Sequence, residues 1–105
     1  MTRRLPIPAT ALTPGERAMV WADSLGIAVF NVDGQLHAID DSCPHAGASL
    51  FSGRLDGHFV RCRAHGMRVD LTSGKLASGG LCVRRYAIEQ DGDTLAVVVP
   101  DSSDQ

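Results

Sequence analysis

The sequence is poor in the features that mark several large classes of protein. No apolar stretch approaches the 18 residues of a membrane span, and the most apolar run is only Leu95 to Val99. No window of about 12 residues keeps a 3.6-residue apolar period between a cap and a stop, so no sizeable helix is expected. Charge of either sign is not in excess: 10 basic against 12 acidic residues leave a net charge of −2. That balance argues against a general nucleic-acid or anionic-membrane binder. Cysteine is scarce and odd in number, at three. The start, Met1-Thr2-Arg3-Arg4, leads into Leu5-Pro6-Ile7-Pro8 instead of an apolar signal core, so no export signal is expected. Without a secretory context a disulfide framework is not expected either, which leaves the cysteines to metal or redox chemistry in a reducing, cytoplasmic setting. At 105 residues the chain is one small domain with a thin core, and a bound metal would help to staple it.

What the sequence does contain is frequent turn signals between short β-branched or aromatic runs. Asp33-Gly34 separates the run 27–32 from Leu36-His37-Ala38-Ile39, and Asp56-Gly57 precedes His58-Phe59-Val60-Arg61-Cys62. Ser73-Gly74 divides Arg68 to Leu71 from Lys75-Leu76-Ala77, and Asp91-Gly92 divides Val83 to Glu89 from Thr94 to Val99. Glycine supplies the positive φ of tight hairpins and aspartate tolerates it. Thr13 to Glu16 reads as a turn or single helical turn before a strand from Arg17 to Trp21. Many short strands with regular turns predict an all-β antiparallel sandwich or small barrel. Residues 41 to about 80 break the strand alternation and read as a subdomain inserted into a base sandwich of about 5–40 and 81–100.

That insert carries the chemistry. Cys43-Pro44-His45 and Cys62-Arg63-Ala64-His65 are separated by the 16 residues from Ala46 to Arg61. Each pair puts one thiolate and one imidazole on one loop, close enough to serve one metal centre. Small residues follow both histidines (Ala46-Gly47 and Gly66), letting backbone amides approach the centre. A single cysteine or histidine is usually structural, but two pairs in this order in so short a chain rarely arise by chance. A tetrahedral zinc site with two cysteines and two histidines is the chemical alternative. Zinc modules usually pair like with like on each knuckle, whereas each loop here has one of each.

The run Cys43 to Leu50, followed by Cys62-Arg63-Ala64-His65-Gly66, closely resembles the Rieske iron–sulfur motif, in which two histidines replace two cysteines on one iron. Similarity extends over about residues 17–99, including the strand before the first loop and the hairpin after the second. The resemblance implies a Rieske-type sandwich holding a [2Fe–2S] cluster, with Cys43 and Cys62 on the buried iron and His45 and His65 on the outer one. It also implies no catalysis by the chain itself. The function it implies is one-electron carriage between a flavin-dependent reductase and a terminal oxygenase, by a monomer free of nucleic acid and membrane.

Several positions depart from the pattern of respiratory Rieske proteins. Ala48 and Ala64 stand where those carry a disulfide, and Met67 and Val69 where they carry serine and tyrosine donors to the cluster. The potential is therefore expected at the low end of the Rieske range, nearer about −150 than about +300 mV. Gly79-Gly80 replaces a proline-containing loop. Alternatives are a small Rieske-like subunit of another oxidoreductase of the nitrite-reductase type, or a redox-inert zinc-binding interaction module. Of the remaining candidates, Cys82 reads as a small buried hydrophobe, and His37 and His58 as surface or rim groups. Residues 54–75 hold five basic residues (Arg54, Arg61, Arg63, Arg68 and Lys75) against Asp56 and Asp70, which reads as an ordinary solvated surface or, more sharply, as a face on which Arg63 orients docking onto acidic patches of redox partners.

Overall fold

The computed structural model describes residues 3–8, 13–23, 25–41, 49–61, 68–76, 83–91 and 94–99. Among them are nine strands and no helix. The strands are β1 (Arg3–Pro6), β2 (Arg17–Ala22), β3 (Leu25–Val32), β4 (Gln35–Asp40), β5 (Arg54–Asp56), β6 (Phe59–Arg61), β7 (Arg68–Asp70), β8 (Arg85–Asp91) and β9 (Thr94–Val99). Six of them form one antiparallel sheet in the order β1-β9-β8-β4-β3-β2, and β5-β6-β7 form a second. The six-stranded sheet curls until its edges approach, and Arg3 on β1 pairs with Asp23 after β2 at 3.0 Å. The result is a nearly closed barrel, consistent with the all-β antiparallel expectation.

Local chemistry explains the hairpins. Val32 pairs with Gln35, so the β3–β4 connection is two residues, and both Asp33 (φ 53°) and Gly34 (φ 91°) sit in the left-handed region. That is the twist-matched turn for which Asp-Gly is suited. The same two-residue connection joins β2 to β3, with Asp23 at φ 57°. No glycine marks that turn, so its sequence signal is weak.

β3 is buried on both faces, which accounts for its near-continuous apolar sequence. Ile27 and Val29 point into the barrel with Val20, Ala38, Tyr86 and Val97. Ala28 and Phe30 point the other way, joining Ile39 of β4 in a second cluster with Leu50, Val60, Val69, Leu71, Leu76 and Val83. The three-stranded sheet thus packs over the outer face of β3 and β4. His37 shares that face and is 4% exposed, so the expectation of a surface or rim histidine is wrong. The three-stranded sheet covers that face of β4, through contacts distant in sequence.

Two smaller differences have simple causes, and the turn expected at 13–16 is present. β1 pairs with β9 from Arg3↔Val99 to Pro6↔Ala96, and the prolines at its end and just beyond, Pro6 and Pro8, hid it. Proline is tolerated there because β1 is an edge strand. Thr13 to Glu16 forms a hydrogen-bonded turn, Glu16 N to Thr13 O at 3.0 Å, with no helix. The hairpin after Arg68 is closed by an isolated bridge, Val69↔Leu76, in place of a second strand.

Candidate cluster site

Both candidate ligand loops emerge from tightly fastened bases. Cys43 and His45 lie in 42–48, and Cys62, Arg63 and His65 lie in 62–67; all are outside the described residues. So are Ala48, Ala64, Met67, Gly79-Gly80 and Cys82. What is described is how each loop begins and ends.

The first loop leaves at Asp41 and returns at Ser49. The Ser49 hydroxyl donates to the Asp41 carboxylate at 2.8 and 3.0 Å, and the Phe51 amide donates to Asp41 Oδ1 at 2.7 Å. The Leu50 amide donates to the Asp41 carbonyl at 2.5 Å. One aspartate therefore ties together the two ends of a seven-residue excursion. The Asp41 amide in turn donates to Gly26 O at 3.0 Å, anchoring this clasp to β3.

The second loop is the connection of a hairpin. Arg61 at the end of β6 pairs directly with Arg68 at the start of β7, so residues 62–67 leave and return at neighbouring positions. The two bases also touch each other. A Cβ added at Gly53 would meet the carbonyl oxygens of both Leu50 and Arg61, so only glycine lets these backbones come this close. Leu50, Val60 and Val69, from the flanks of the two loops, share one apolar cluster. From β2, Arg17 reaches across to donate to Phe51 O at 2.7 Å and Gly53 O at 2.5 Å.

Short loops with adjacent, rigid bases fit a group held between them. A donor set of two thiolates and two imidazoles, as the sequence offers on these two loops, would suit a mixed cysteine–histidine iron–sulfur centre. The other two histidines lie among the described residues. His58 is half-exposed, stacked on Phe59 at 4.6 Å between ring centroids and 4.0 Å from Asp70. His37 is buried between the sheets, and its Nδ1 has no hydrogen-bond partner. Burial, reinforced by the positive charge of Arg85, holds the His37 pKa below its ordinary value. Among the described residues, no group of three or more His, Cys, Asp or Glu is placed to hold a metal.

Two residues that support the site escaped sequence reading, Arg17 and Gly53. Both act through backbone carbonyls distant in sequence, which leave no local signal.

Residues 6–98 match the Rieske [2Fe-2S] domain family. The chain belongs to this family. Its cofactor is accordingly a [2Fe–2S] cluster. It is 37% identical over 87 residues to the biphenyl dioxygenase ferredoxin subunit of Pseudomonas sp. strain KKS102, covering 80% of each chain. The ferredoxin of Sphingomonas yanoikuyae B1 superposes with a TM-score of 0.81 at 25% identity, over 95% of this chain and 100% of that one. A chain in the complex of reduced oxygenase and oxidised ferredoxin of carbazole 1,9a-dioxygenase superposes with a TM-score of 0.79. It is 27% identical, with 91% of each chain covered. No helix among the described residues is long and apolar enough to cross a membrane.

Proposed function

We propose that this chain is the ferredoxin of a multicomponent dioxygenase system, with Cys43, His45, Cys62 and His65 as its cluster ligands. The observation that carries the reading is the pair of clasped loop bases, Asp41–Ser49 and Arg61–Arg68, which flank in sequence the two Cys–His pairs and approach each other at Gly53. The role is electron transfer and not oxygenation, since the chain spans most of the length of relatives that are ferredoxin components. The division into a base of about 5–40 and 81–100 and a cluster-binding part of about 41–80 belongs to this proposal. So do a cytoplasmic location, a monomeric state, and a flavin-dependent reductase and terminal oxygenase as donor and acceptor. A relative's structure in complex with its oxygenase supports the second of these partners.

When bound, the cluster supplies a one-electron redox centre whose two imidazole ligands make reduction easier than four thiolates would. The chain's own residues keep that centre still. Asp41 fixes the span of the first loop, the β6–β7 register fixes the second, and Gly53 sets the gap between them. Such a mount limits rearrangement on electron gain or loss.

The test is EPR with iron and zinc assay on anaerobically purified protein. The expected protein is red-brown, silent as isolated and rhombic with low average g after dithionite. Cys43→Ser, Cys62→Ser, His45→Ala and His65→Ala should each abolish that signal, while Cys82→Ser should keep it. A colourless zinc protein would overturn the reading.

A further inference from the structure

The three-stranded sheet carries a row of like charge at the root of the second ligand loop. Arg54 pairs with Arg61 across β5–β6, and Arg61 pairs with Arg68 across β6–β7. Directly paired residues of antiparallel strands project from the same face. The opposite face of these strands, with Leu55, Val60 and Val69, is turned into the core. All three arginines are exposed. Among the described residues, none of the three has a carboxylate within ion-pair distance.

Like charges set directly opposite one another destabilise a sheet, and two such pairs occur in a row. Two acids share this face, Asp56 and Asp70, and neither is within ion-pair distance of the row among the described residues. Asp70 on the same face accepts from the Thr72 amide at 2.9 Å and the Thr72 hydroxyl at 2.6 Å. Only Arg68 has a partial outlet, lying 5.7 Å from the centre of the Phe59 ring. Adjacent strands are about 4.8 Å apart, so the row spans about 10 Å, roughly one Debye length at 0.1 M salt. It acts as one patch. The patch reverses the sign of the whole molecule, whose net charge is −2. Its central and outer members are the residues immediately flanking 62–67.

We infer that the Arg54–Arg61–Arg68 row is the docking surface for an acidic face on the electron-transfer partner. The inference rests on the carrier function proposed above and adds which surface meets the partner and the sign of charge that it recognises. Complementary charge here orients the partner over the loop bearing Cys62 and His65 and raises the encounter rate. The net charge of −2 by itself would repel the same partner.

The experiment is stopped-flow oxidation of the dithionite-reduced holoprotein by two protein acceptors, plastocyanin with its acidic docking face and cytochrome c with its basic one. In each case one electron leaves the reduced protein and converts Cu(II) to Cu(I) or haem Fe(III) to Fe(II), with no bond made or broken. The native protein is expected to react with plastocyanin at a rate that falls as salt is raised. R54Q/R61Q/R68Q should lower that rate at low salt by about tenfold or more and flatten its salt dependence, the scale of electrostatic steering. Its rate with cytochrome c should not fall. The triple lysine variant should keep the plastocyanin rate, and Arg4→Gln, which removes one positive charge on β1 as Arg54→Gln does on β5, should leave it unaltered.

Equal losses with both acceptors would make the row a structural part of the loop and overturn the inference, as would no loss with either. If the triple variant does not hold its cluster, Arg54→Gln alone, one strand further from the loop, carries the same comparison. Native protein without a rhombic EPR signal would overturn the carrier function itself. A normal signal with unaltered salt dependence would overturn only the docking surface.

Discussion

His37 and Asp41 show how single residues tie this fold to solution conditions. The imidazole of His37 is buried, with Arg85 and His58 adding repulsion to its charged form and Asp70 partly opposing them. Its pKa in the folded chain therefore lies below the ordinary value of about 6.5. Between those two values the unfolded chain binds more protons, so stability rises with pH through that window. The contribution is complete above about pH 6.5 and is lost as the pH falls below it. Denaturant midpoints of native protein and His37→Gln, compared from about pH 7.5 to 5.5, should show the native protein losing more stability on acidification. Parallel curves would exclude His37 as the source. Asp41 works through hydrogen bonds from Ser49 and Phe51. Asp41→Ala should cost about 1–3 kcal/mol and speed iron loss to a chelator, whereas Asp41→Asn, which keeps an acceptor, should cost less.

At the scale of elements, glycine substitutions separate two kinds of constraint. Gly57 is in the β5–β6 turn at φ 63°, with open space where a Cβ would go. Gly57→Ala should cost about 1 kcal/mol from backbone strain alone. Gly53 has an ordinary φ, but a Cβ there would run into Arg61 O and meet Leu50 O at 3.0 Å. Neither carbonyl can yield without moving a loop base, so Gly53→Ala should cost more, about 1–3 kcal/mol, and weaken cluster retention. Thermal melts followed at the cluster absorbance and by far-UV dichroism check the order; a milder Gly53→Ala would break the argument. The same contrast marks what could be read from the chain. Asp33-Gly34 and Asp56-Gly57 announced their turns because the signal is local. The four candidate ligands stood out because their residue types and spacing are unusual. Arg17, Gly53 and the buried setting of His37 were illegible, since each depends on backbone or covering strands far away in sequence. The basic excess of 54–75 was legible, but the arginine row was not: Arg54, Arg61 and Arg68 are seven residues apart, and only the register aligns them.

The molecule as a whole has two apolar clusters with different duties. Val97 belongs to the barrel interior, while Leu50 belongs to the cluster that joins the barrel to the loop bases. Both are fully buried, so Leu50→Ala and Val97→Ala should each destabilise the fold, the former by about 2–5 kcal/mol. Only Leu50→Ala should bleach the protein at temperatures below its global melt, and coincident transitions in both variants would show the clusters to be one unit. The meeting of Asp40 and Arg84 bears on the same division. The Asp40 amide donates to the Arg84 carbonyl at 2.9 Å, so the chain departs from the barrel and rejoins it at adjacent points. To a protein engineer this is a socket. An insert plugged in there has to present its two ends one strand spacing apart if the register of the barrel is to be kept. The socket cannot be left empty, because Ala28, Phe30 and Ile39 would then form an exposed greasy floor that invites aggregation. A transplanted module must therefore bring its own apolar underside, and the redox group it carries is free to differ.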